Sequence, residues 1–536
     1  MSQLRTLYHL MRADLFERAR RYSFLITLGF VVFAAYLYVP PKEADYLTLG
    51  LSNYRGVYNS AWIGGAMAVL CSALLSLPAF YLVKNAVERD ERTRVGQIIA
   101  TTPLSKPLYT LGKAFSNFVF LAVMVGVIAL AAAGMQLIRG ESLHLDLWAL
   151  LSPFVFCVLP AMAMIAAIAI LFETIAWLRG TFGNVVYFFL WMGVLVATVA
   201  SMPADPRQIA VPAADVWGIS IILSSMMQAT AVAFPNYMGS VEIGAATLPA
   251  PLQTFTWTGI HWTPGIVLGR LFWFGAAIGV SLIAAIFFRR FDPAPLAPRG
   301  KQKHAREATM PQPVEPERED TVAPAAPIQL SPLTSRFRSR PISLLLAELR
   351  TMLKGARWWW FIVALGLIFA GLLVPTDIAR QLLPVMWLWP LALWSSVGCR
   401  EARYGAGQLV FSAPHLLQRQ LPMLWLAAVL VTALTGSGVA ANFALAGEWT
   451  HLLAWGTAAL FIPTLALALG VWSGGNKLFE VVYMIWWYAG PVNRVPYLDF
   501  MGTGEQVVTE VLLVYWIGTV VLLGLAVLGR QRQAQM

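Results

Sequence analysis

The segment RDERTRVGQIIATTP, residues 89–103, has a second copy in the same chain, REARYGAGQLVFSAP, residues 400–414. The two copies align without a gap, and each lies between long apolar runs. A loop that is merely solvated has no reason to repeat its residues in register. The repeat therefore predicts a tandem duplication of one membrane unit, with a special loop in each half. Five aligned positions hold the same residue: Arg89 and Arg400, Arg92 and Arg403, Gly96 and Gly407, Gln97 and Gln408, Pro103 and Pro414.

The composition is that of a membrane protein. Hydrophobic residues make up 58% of the 536 residues and charged residues 12%, and the mean hydropathy is +0.66. A soluble chain with so little polar surface could not cover itself, so the sequence predicts an all-α polytopic membrane protein. We expect twelve transmembrane helices, six in each half, although the eleventh is short. The apolar runs are 22–39, 59–83, 114–138, 148–171, 184–201, 266–288, 358–374, 381–398, 421–443, 452–472, 478–490 and 511–528.

The positions of lysine and arginine predict the orientation. If both termini are cytoplasmic, 31 of the 38 lysines and arginines fall in cytoplasmic segments, as the positive-inside rule requires. The net charge of +11 is thus an orientation signal, and no nucleic-acid partner is expected. We expect a multi-pass protein of a bacterial inner membrane, with the lipid bilayer as its surroundings.

Three regions are predicted along the chain: a first six-helix half, residues 1–290, a linker, residues 291–340, and a second six-helix half, residues 341–536. The linker is rich in Pro, Ala and mixed charge, which predicts a flexible cytoplasmic tether. Each half begins with an amphipathic segment that we expect to lie in the cytoplasmic interface as an elbow helix. Its apolar residues are Leu4, Leu7, Tyr8, Met11 and Leu15 in the first half and Leu345, Leu349, Met352, Leu353 and Ala356 in the second.

A long outer segment, residues 202–265, distinguishes the first half from the second. Its apolar stretch, residues 216–234, is long enough to be a thirteenth span. A thirteenth span would place Arg289 and Arg290 outside and break the charge rule. We therefore expect a re-entrant or surface-lying element.

The repeated loops have the features of docking elements. We call residues 84–113 the first loop and residues 399–420 the second loop. In the first loop a short charged helix is expected to end near Thr101, before Pro103. Ala402 replaces Glu91 in the second loop, and its glycines weaken a helix, so the first loop is expected to be the stiffer one. The residues expected to couple to a partner are Arg89, Asp90, Glu91, Arg92, Gly96, Gln97 and Pro103, and Arg400, Glu401, Arg403, Gly407, Gln408 and Pro414.

Motifs for chemistry within this chain are missing. No phosphate-binding loop of the form GxxxxGK[ST] occurs, so we expect neither ATP binding nor enzymatic activity of the chain itself. The predicted spans hold no charged residue deep inside, since Glu173 and Glu480 fall at predicted cytoplasmic helix ends. Ion-coupled carriers use such buried groups to hold the coupling ion. The energy for any transport is therefore expected to come from another polypeptide.

No metal site, catalytic site or cofactor-binding site is predicted. The cysteines and the methionines of the outer segment have packing as their main explanation, with soft-metal contact as a weak alternative for the methionines. Three tryptophans are candidates to line a cavity between the halves, with packing or lipid-facing roles as the alternatives. These residues are Cys71, Cys157 and Cys399, Met226, Met227 and Met238, and Trp191, Trp394 and Trp486.

The segment RDERTRVGQIIATTPLSKPLYTLGK, residues 89–113, resembles the ABC-2 type transporter permease family. In that family's pattern an acidic, arginine-rich stretch and a hydrophobic turn precede Thr-Pro, here Thr102-Pro103, and a Gly-Lys pair opens the third span, here Gly112-Lys113. The elbow segment and residues 268–292 are also similar to the family. The resemblance covers both halves and is weaker in the second, where Ala402, Gly405 and His415 replace Glu91, Arg94 and Leu104.

This resemblance implies a fused, complete permease that works with separate ABC ATPase subunits, two per chain. ATP and Mg would bind in those partner subunits, and this chain would bind no cofactor. The implied activity is export of a small hydrophobic or amphipathic substrate. Some relatives are associated with the maturation of copper enzymes, so a permease that serves an extracytoplasmic enzyme is an alternative.

Two other classes remain open. A secondary carrier of 6+6 architecture would need intramembrane ion ligands and would not need two elbow helices. A membrane enzyme would need carboxylates or histidines that converge at a membrane face. Glu43 and Asp45 are a close acidic pair in the first outer loop but lack such partners.

Overall fold

The computed structural model of the chain is mainly helical. Most of the first predicted span and of the linker lies outside the residues that the structure describes. The described residues are 3–19, 29, 32–33, 35–41, 46–210, 215–239, 241–247, 253–289, 291, 340–354, 356–411, 416–495, 497–505 and 507–535.

The first half contains eleven described helices and four short strands. Two π-helical turns, Cys71–Leu75 and Phe154–Val158, join α2 to α3 and α7 to α8. The helices are α1 (Gln3–Ala19), α2 (Ser60–Leu70), α3 (Ser76–Val83), α4 (Ala86–Arg92), α5 (Val95–Thr101), α6 (Lys106–Arg139), α7 (Leu147–Pro153), α8 (Leu159–Thr174), α9 (Thr181–Ala200), α10 (Ile219–Ala233) and α11 (Pro264–Phe287). The strands are β1 (Tyr46–Gly50), β2 (Tyr54–Gly56), β3 (Glu242–Thr247) and β4 (Gln253–Phe255).

The strands tie residues 46–56 to residues 242–255 of the first half. β1 pairs with β3 in antiparallel fashion, and β2 pairs with β4 in parallel fashion. We call this end of the bundle the strand side. The opposite end, which carries the first and second loops, is the loop side.

The second half is entirely helical in its described part. A π-helical turn, Tyr488–Val492, follows α20. The helices are α12 (Arg340–Leu353), α13 (Trp358–Leu373), α14 (Thr376–Met386), α15 (Leu391–Trp394), α16 (Arg400–Tyr404), α17 (Gly407–Phe411), α18 (Leu416–Ala446), α19 (Trp449–Ser473), α20 (Lys477–Trp487) and α21 (Thr509–Gln535).

The chain is a helical multi-pass membrane protein. Eight helical segments within the described residues are long and apolar enough to cross a bilayer, and α12 with α13 would make a ninth if that bent pair is one span. The eight segments are Ser60–Arg92, Lys106–Arg139, Leu147–Thr174, Thr181–Ala200, Pro264–Phe287, Leu417–Ala446, Trp449–Ser473 and Thr509–Gln535.

The described residues do not show twelve continuous spans, and three predicted runs of the second half give helices shorter than the roughly 18 residues that a span needs. The run 358–374 gives α13, of 16 residues, and the run 478–490 gives α20, of 11 residues, followed directly by the π-helical turn Tyr488–Val492. The run 381–398 is broken into α14 and α15 by a turn that ends at Pro390. Proline cannot donate the backbone hydrogen bond that a continuous helix needs. An average of hydropathy along the sequence does not detect this break in the helix.

The two halves pack in a similar way. α1 lies along α6, and α12 lies along α18. The last helix of each half packs on the fourth predicted span of the same half, α11 on α8 and α21 on α19. α12 and α13 meet at 103°, which fits an elbow helix that turns into a span. Of the predicted apolar face of α12, Met352 is buried, and Leu345, Leu349 and Leu353 pack against the same cluster.

Helix α10 is the apolar stretch of the outer segment. With 15 residues it is about 22 Å long, which is less than the thickness of a bilayer core. It is therefore too short to be a thirteenth span by itself, and most of its residues are buried inside the protein. The re-entrant or surface-lying placement remains a prediction. Met226 and Met227 are buried in the core, whereas Met238 is 92% exposed, so these methionines do not converge on one site.

Arg270 secures the π-helical turn between α7 and α8. Its guanidinium donates to the carbonyl oxygens of Phe156 at 3.0 Å and of Cys157 at 3.3 Å, and also to those of Asp215 and Val216. A π-helical turn displaces carbonyl groups from the regular helix pattern. Arg270 is fully buried, so its guanidinium satisfies these groups inside the protein.

We predict that Arg270→Met destabilises the protein by about 3 kcal/mol, because it leaves several buried carbonyl groups unpaired. The three cysteines are free and buried, so a thiol-reactive fluorophore reports the unfolding temperature in detergent. The exposed Arg207→Met is the matched control, with little expected effect. Equal unfolding temperatures for the two variants would contradict the role given to Arg270.

Candidate functional site

The first loop consists of two short helices. α4 holds its charged residues, and α5 ends at Thr101, where a helix end was predicted. Between them Arg94 has a φ of 59°, a left-handed conformation that residues with a Cβ rarely adopt. Pro103 follows the end of α5 and is exposed. The loop is therefore bent at its middle: the short charged helix is α4, which ends at Arg92, and a second helix, α5, ends at Thr101.

The second loop bends at the aligned residue. Gly405 separates α16 from α17, has a φ of 64°, and takes the place of Arg94 in the repeat. Gly405 adopts this backbone shape without the steric cost that Arg94 bears. The glycine at this position therefore suits the bend, and it gives no reason to expect the second loop to be the softer one.

Aligned arginines tie both loops to the amphipathic helices. Arg89 donates to Asp14 of α1 at 2.7 Å and lies 3.4 Å from Glu17. Arg400 donates to Glu348 of α12 at 3.3 Å. The first residue of each repeat therefore holds its loop against the helix that opens the same half.

The next residue of each repeat is a buried carboxylate with a buried cation. Asp90 accepts from Tyr109 at 2.8 Å and lies 2.9 Å from the ammonium of Lys113, which also binds Asp14. Glu401 accepts from Arg530 of α21 at 2.8 Å. Both loops are thus anchored twice, once to an amphipathic helix and once to a long helix.

The repeated glycine of the first loop is explained by packing. A Cβ on Gly96 would lie 2.6 Å from the ring of Phe291, far inside contact distance. At Gly407 the corresponding distance, to the ring of Phe411, is 3.3 Å. Gly96 therefore lets the chain that leaves α11 pack against the loop.

The remaining predicted coupling residues with described side chains lie on the exposed surface of the loops. Arg92 is 53% exposed and pairs with Glu88, four residues earlier on the same helix. Gln97 and Arg403 are also exposed. Glu91 forms a partly exposed pair with Arg179 at 3.1 Å. The side chain of Gln408 and all of Pro414 lie outside the described residues.

A break directly after the second predicted span leads into the first loop. α3 ends at Val83, and Asn85 has a φ of 81°, which starts α4 in a new direction. Both oxygens of Glu173, from α8, accept from the backbone: Oε1 from Asn85 and Ala86 at 2.7 and 3.0 Å, and Oε2 from Val87 at 2.6 Å. The carboxylate satisfies the free N–H groups of α4 and complements the positive end of its dipole.

The other side of the break is held by the second half of the chain. The ammonium of Lys477, at the start of α20, donates to the carbonyl oxygens of Tyr81 at 2.7 Å and of Lys84 at 2.6 Å. A helix end leaves such carbonyl groups unpaired, and a cation there is favourable. The hinge of the first loop therefore has one cap from its own half and one from the other half.

Further polar contacts extend this joint across the halves. Lys84 donates to the side chain of Asn184 at 2.5 Å, and Asn184 donates to Glu480. Asn476 donates to the other oxygen of Glu480 at 2.8 Å. We call the six residues the interhalf cluster: Lys84, Glu173, Asn184, Asn476, Lys477 and Glu480.

The interhalf cluster was not predicted. The sequence placed Glu173 and Glu480 correctly at helix ends, but it gave no sign that they belong to one buried group. The available signal was the occurrence of isolated polar residues, such as Lys84, beside long apolar runs. In an apolar bundle such residues must find partners, because an unpaired buried charge is costly.

A cavity of about 810 Å³ opens on the loop side of the first half. Three repeat residues, Glu91, Gly96 and Gln97, form one wall, and the end of α11 forms another. The remaining lining residues are Lys106, Thr174, Ile175, Ala176, Trp177, Arg179, Ile286, Phe287, Phe288, Arg289 and Phe291.

The three candidate tryptophans lie elsewhere. Trp191 donates to Ser76 at 2.7 Å inside the first half. Trp394 is fully buried beside Tyr483. Trp486 donates to Tyr515 at 3.0 Å within the second half. A cavity lined by these tryptophans between the halves remains a prediction.

No family model, curated protein or solved structure matches the chain. Its function therefore follows from its own sequence and geometry.

We predict that Gly405→Ala lowers the stability by about 1 kcal/mol, because alanine at positive φ is strained. No atom lies within 4 Å of the added Cβ, so the change tests the backbone alone. Arg94→Gly should raise the stability by a similar amount, whereas Arg92→Gly, inside α4, should lower it. Thermal unfolding measures all three. A loss from Arg94→Gly as large as that from Arg92→Gly would exclude strain at Arg94.

We also predict that Lys477→Met destabilises the protein by about 2 kcal/mol. Two buried carbonyl groups lose their hydrogen-bond donor, and Glu480 loses a nearby positive charge. Lys477→Arg should restore part of the loss, since it keeps the charge and the donors. Lys354→Met, an exposed lysine of the same half, is the control. Unfolding temperatures that do not separate Lys477→Met from this control would show that the cap carries no stability.

Proposed function

We propose that the chain is the membrane permease of an ATP-driven exporter and works with separate ABC ATPase subunits, two per chain. The observation that carries this proposal is the pair of repeated loops, each anchored to an amphipathic helix and to a long helix through the same two repeat positions. Each loop keeps an exposed arginine at a third aligned position, Arg92 or Arg403. A loop that is fixed to the protein by ion pairs and carries an exposed arginine on its outer surface is suited to transmit the movement of a bound partner.

The contacts define a route for such force. A push on α4 acts on Arg89 and Asp90, whose partners Asp14 and Lys113 belong to α1 and α6. The same helix is capped by Glu173, which is part of α8. Because packed helices move as rigid bodies, displacement of the loop would move the first half as a unit.

The internal repeat supports a duplicated architecture with two loops for two ATPase subunits. Both halves show an amphipathic helix along the long helix that follows the loop, and a last helix packed on the fourth predicted span. We propose twelve spans in total, with the loops and both termini in the cytoplasm of a bacterial inner membrane. ATP and Mg would bind in the partner subunits, and a small hydrophobic or amphipathic substrate would move outward.

A secondary carrier is the second candidate, and the interhalf cluster favours it. Buried carboxylates between two halves are what an ion-coupled carrier needs. In this structure both oxygens of Glu173 and both oxygens of Glu480 already accept hydrogen bonds. Saturated carboxylates stabilise a joint and leave few lone pairs for a transported ion, so the permease is the stronger proposal.

The test is ATP hydrolysis by the complex purified with its ATPase in mild detergent. Arg92→Glu and Arg403→Glu should each lower ATPase recruitment and coupled hydrolysis several-fold, because reversed charge at an interface is repelled. Arg207→Glu, exposed on the strand side, is the matched control and should have no effect. Hydrolysis by the isolated chain, or transport that collapses with an ion gradient and ignores ATP, would contradict the proposal.

A further inference from the structure

The cavity on the loop side has an excess of positive charge. Three cations, Lys106, Arg179 and Arg289, line it together with one carboxylate, Glu91. Glu91 pairs with Arg179. Lys106 and Arg289 are exposed, and neither forms an ion pair within the described part of the chain. Two cations are therefore available to an anionic ligand.

The rest of the cavity wall is apolar and aromatic. Phe287, Phe288 and Phe291 line one side, and Trp177, which is 63% exposed, lines the other. Tryptophan is typical of the level at which lipid headgroups meet water. A volume of about 810 Å³ is within the range of small-molecule sites. The cavity thus suits a ligand with a charged head and an apolar body.

The cavity continues into a helix face that is directed away from the protein core. Only 22% of the apolar window of α11 is buried, the lowest share among the eight candidate spans. Ile278, Leu282 and Ile286, spaced four residues apart, form an exposed stripe that runs down to the cavity. Since α11 is a membrane-spanning candidate, this stripe would contact acyl chains.

We propose that the cavity binds the headgroup of an anionic phospholipid from the leaflet on the loop side. Lys106 and Arg289 would hold the phosphate, the aromatic wall would contact the glycerol region, and the acyl chains would follow the stripe of α11. A partner protein is disfavoured as the occupant, because the exposed apolar stripe lies within a candidate span, where a bilayer and not water surrounds it. The inference does not depend on the proposed function, because it concerns lipid binding by this chain alone.

The cavity also adjoins the first loop directly. Glu91, Gly96 and Gln97 of the first loop line the cavity, and Glu91 and Gln97 are also exposed on the loop. A bound anionic lipid would lie against the turn that Arg94 makes between α4 and α5. Lipid composition would then influence how the first loop is held, while the second loop, which belongs to the other half, would be unaffected.

The test measures lipid retention by the purified chain with native mass spectrometry, after addition of phosphatidylglycerol or phosphatidylcholine. The wild-type chain is expected to retain phosphatidylglycerol preferentially. Lys106→Gln combined with Arg289→Gln should weaken that binding about tenfold, because two headgroup contacts are lost. Ala176→Trp, at an exposed cavity position, fills the site without a change of charge and should weaken it as well.

The matched control is Arg207→Gln combined with Arg494→Gln, which removes the same charge from exposed positions outside the cavity lining. It should leave the retention of phosphatidylglycerol unchanged. Unfolding temperatures confirm that all variants are folded. Equal retention of both lipids, equal losses in control and cavity variants, or full retention in the cavity variants would each overturn the proposal. Restoration of retention only when an ATPase subunit is present would assign the cavity to a protein partner.

Discussion

The backbone groups freed by the break between α3 and α4 are the constraint on which the loop side of this protein depends. Away from water each unpaired N–H or carbonyl group is costly, so a buried break between two helices must be capped on both sides. Glu173 caps the N–H groups and Lys477 caps the carbonyl groups. Because these two residues come from different halves, the break that creates the first loop also joins the halves.

The two loops show how a repeated sequence can keep its contacts while its partners change. Arginine binds an amphipathic helix in both copies, but the carboxylate is Asp14 in one half and Glu348 in the other. The following acid is paired with Lys113, at the start of a long helix, or with Arg530, near the end of one. Both loops therefore keep an ion pair at the same two positions, but the cation that pairs with the buried carboxylate lies at a different point along its helix.

The membrane class, the loops and the helix end at Thr101 could be predicted, because periodicity, repetition and proline are local signals. The number of spans could not be predicted in the second half, where Pro390 interrupts an apolar run without changing its hydropathy. The interhalf cluster was also missed. Lys84 and Glu480 are almost 400 residues apart in the chain, and only the packing of α3, α9 and α20 brings them together. A single sequence can show that an isolated polar residue needs a partner, but it does not show which distant residue that partner is.

The joint between the halves bears on the biogenesis of the protein. When the ribosome has released residues 1–290, the carbonyl groups of Tyr81 and Lys84 and the side chain of Asn184 still lack Lys477 and Glu480. The newly inserted first half is therefore polar and incomplete along one side, and it remains so until the eleventh predicted span has followed. During this interval lipid, water or the translocation machinery would have to cover this polar side. That cover would be displaced when α20 inserts beside the first half.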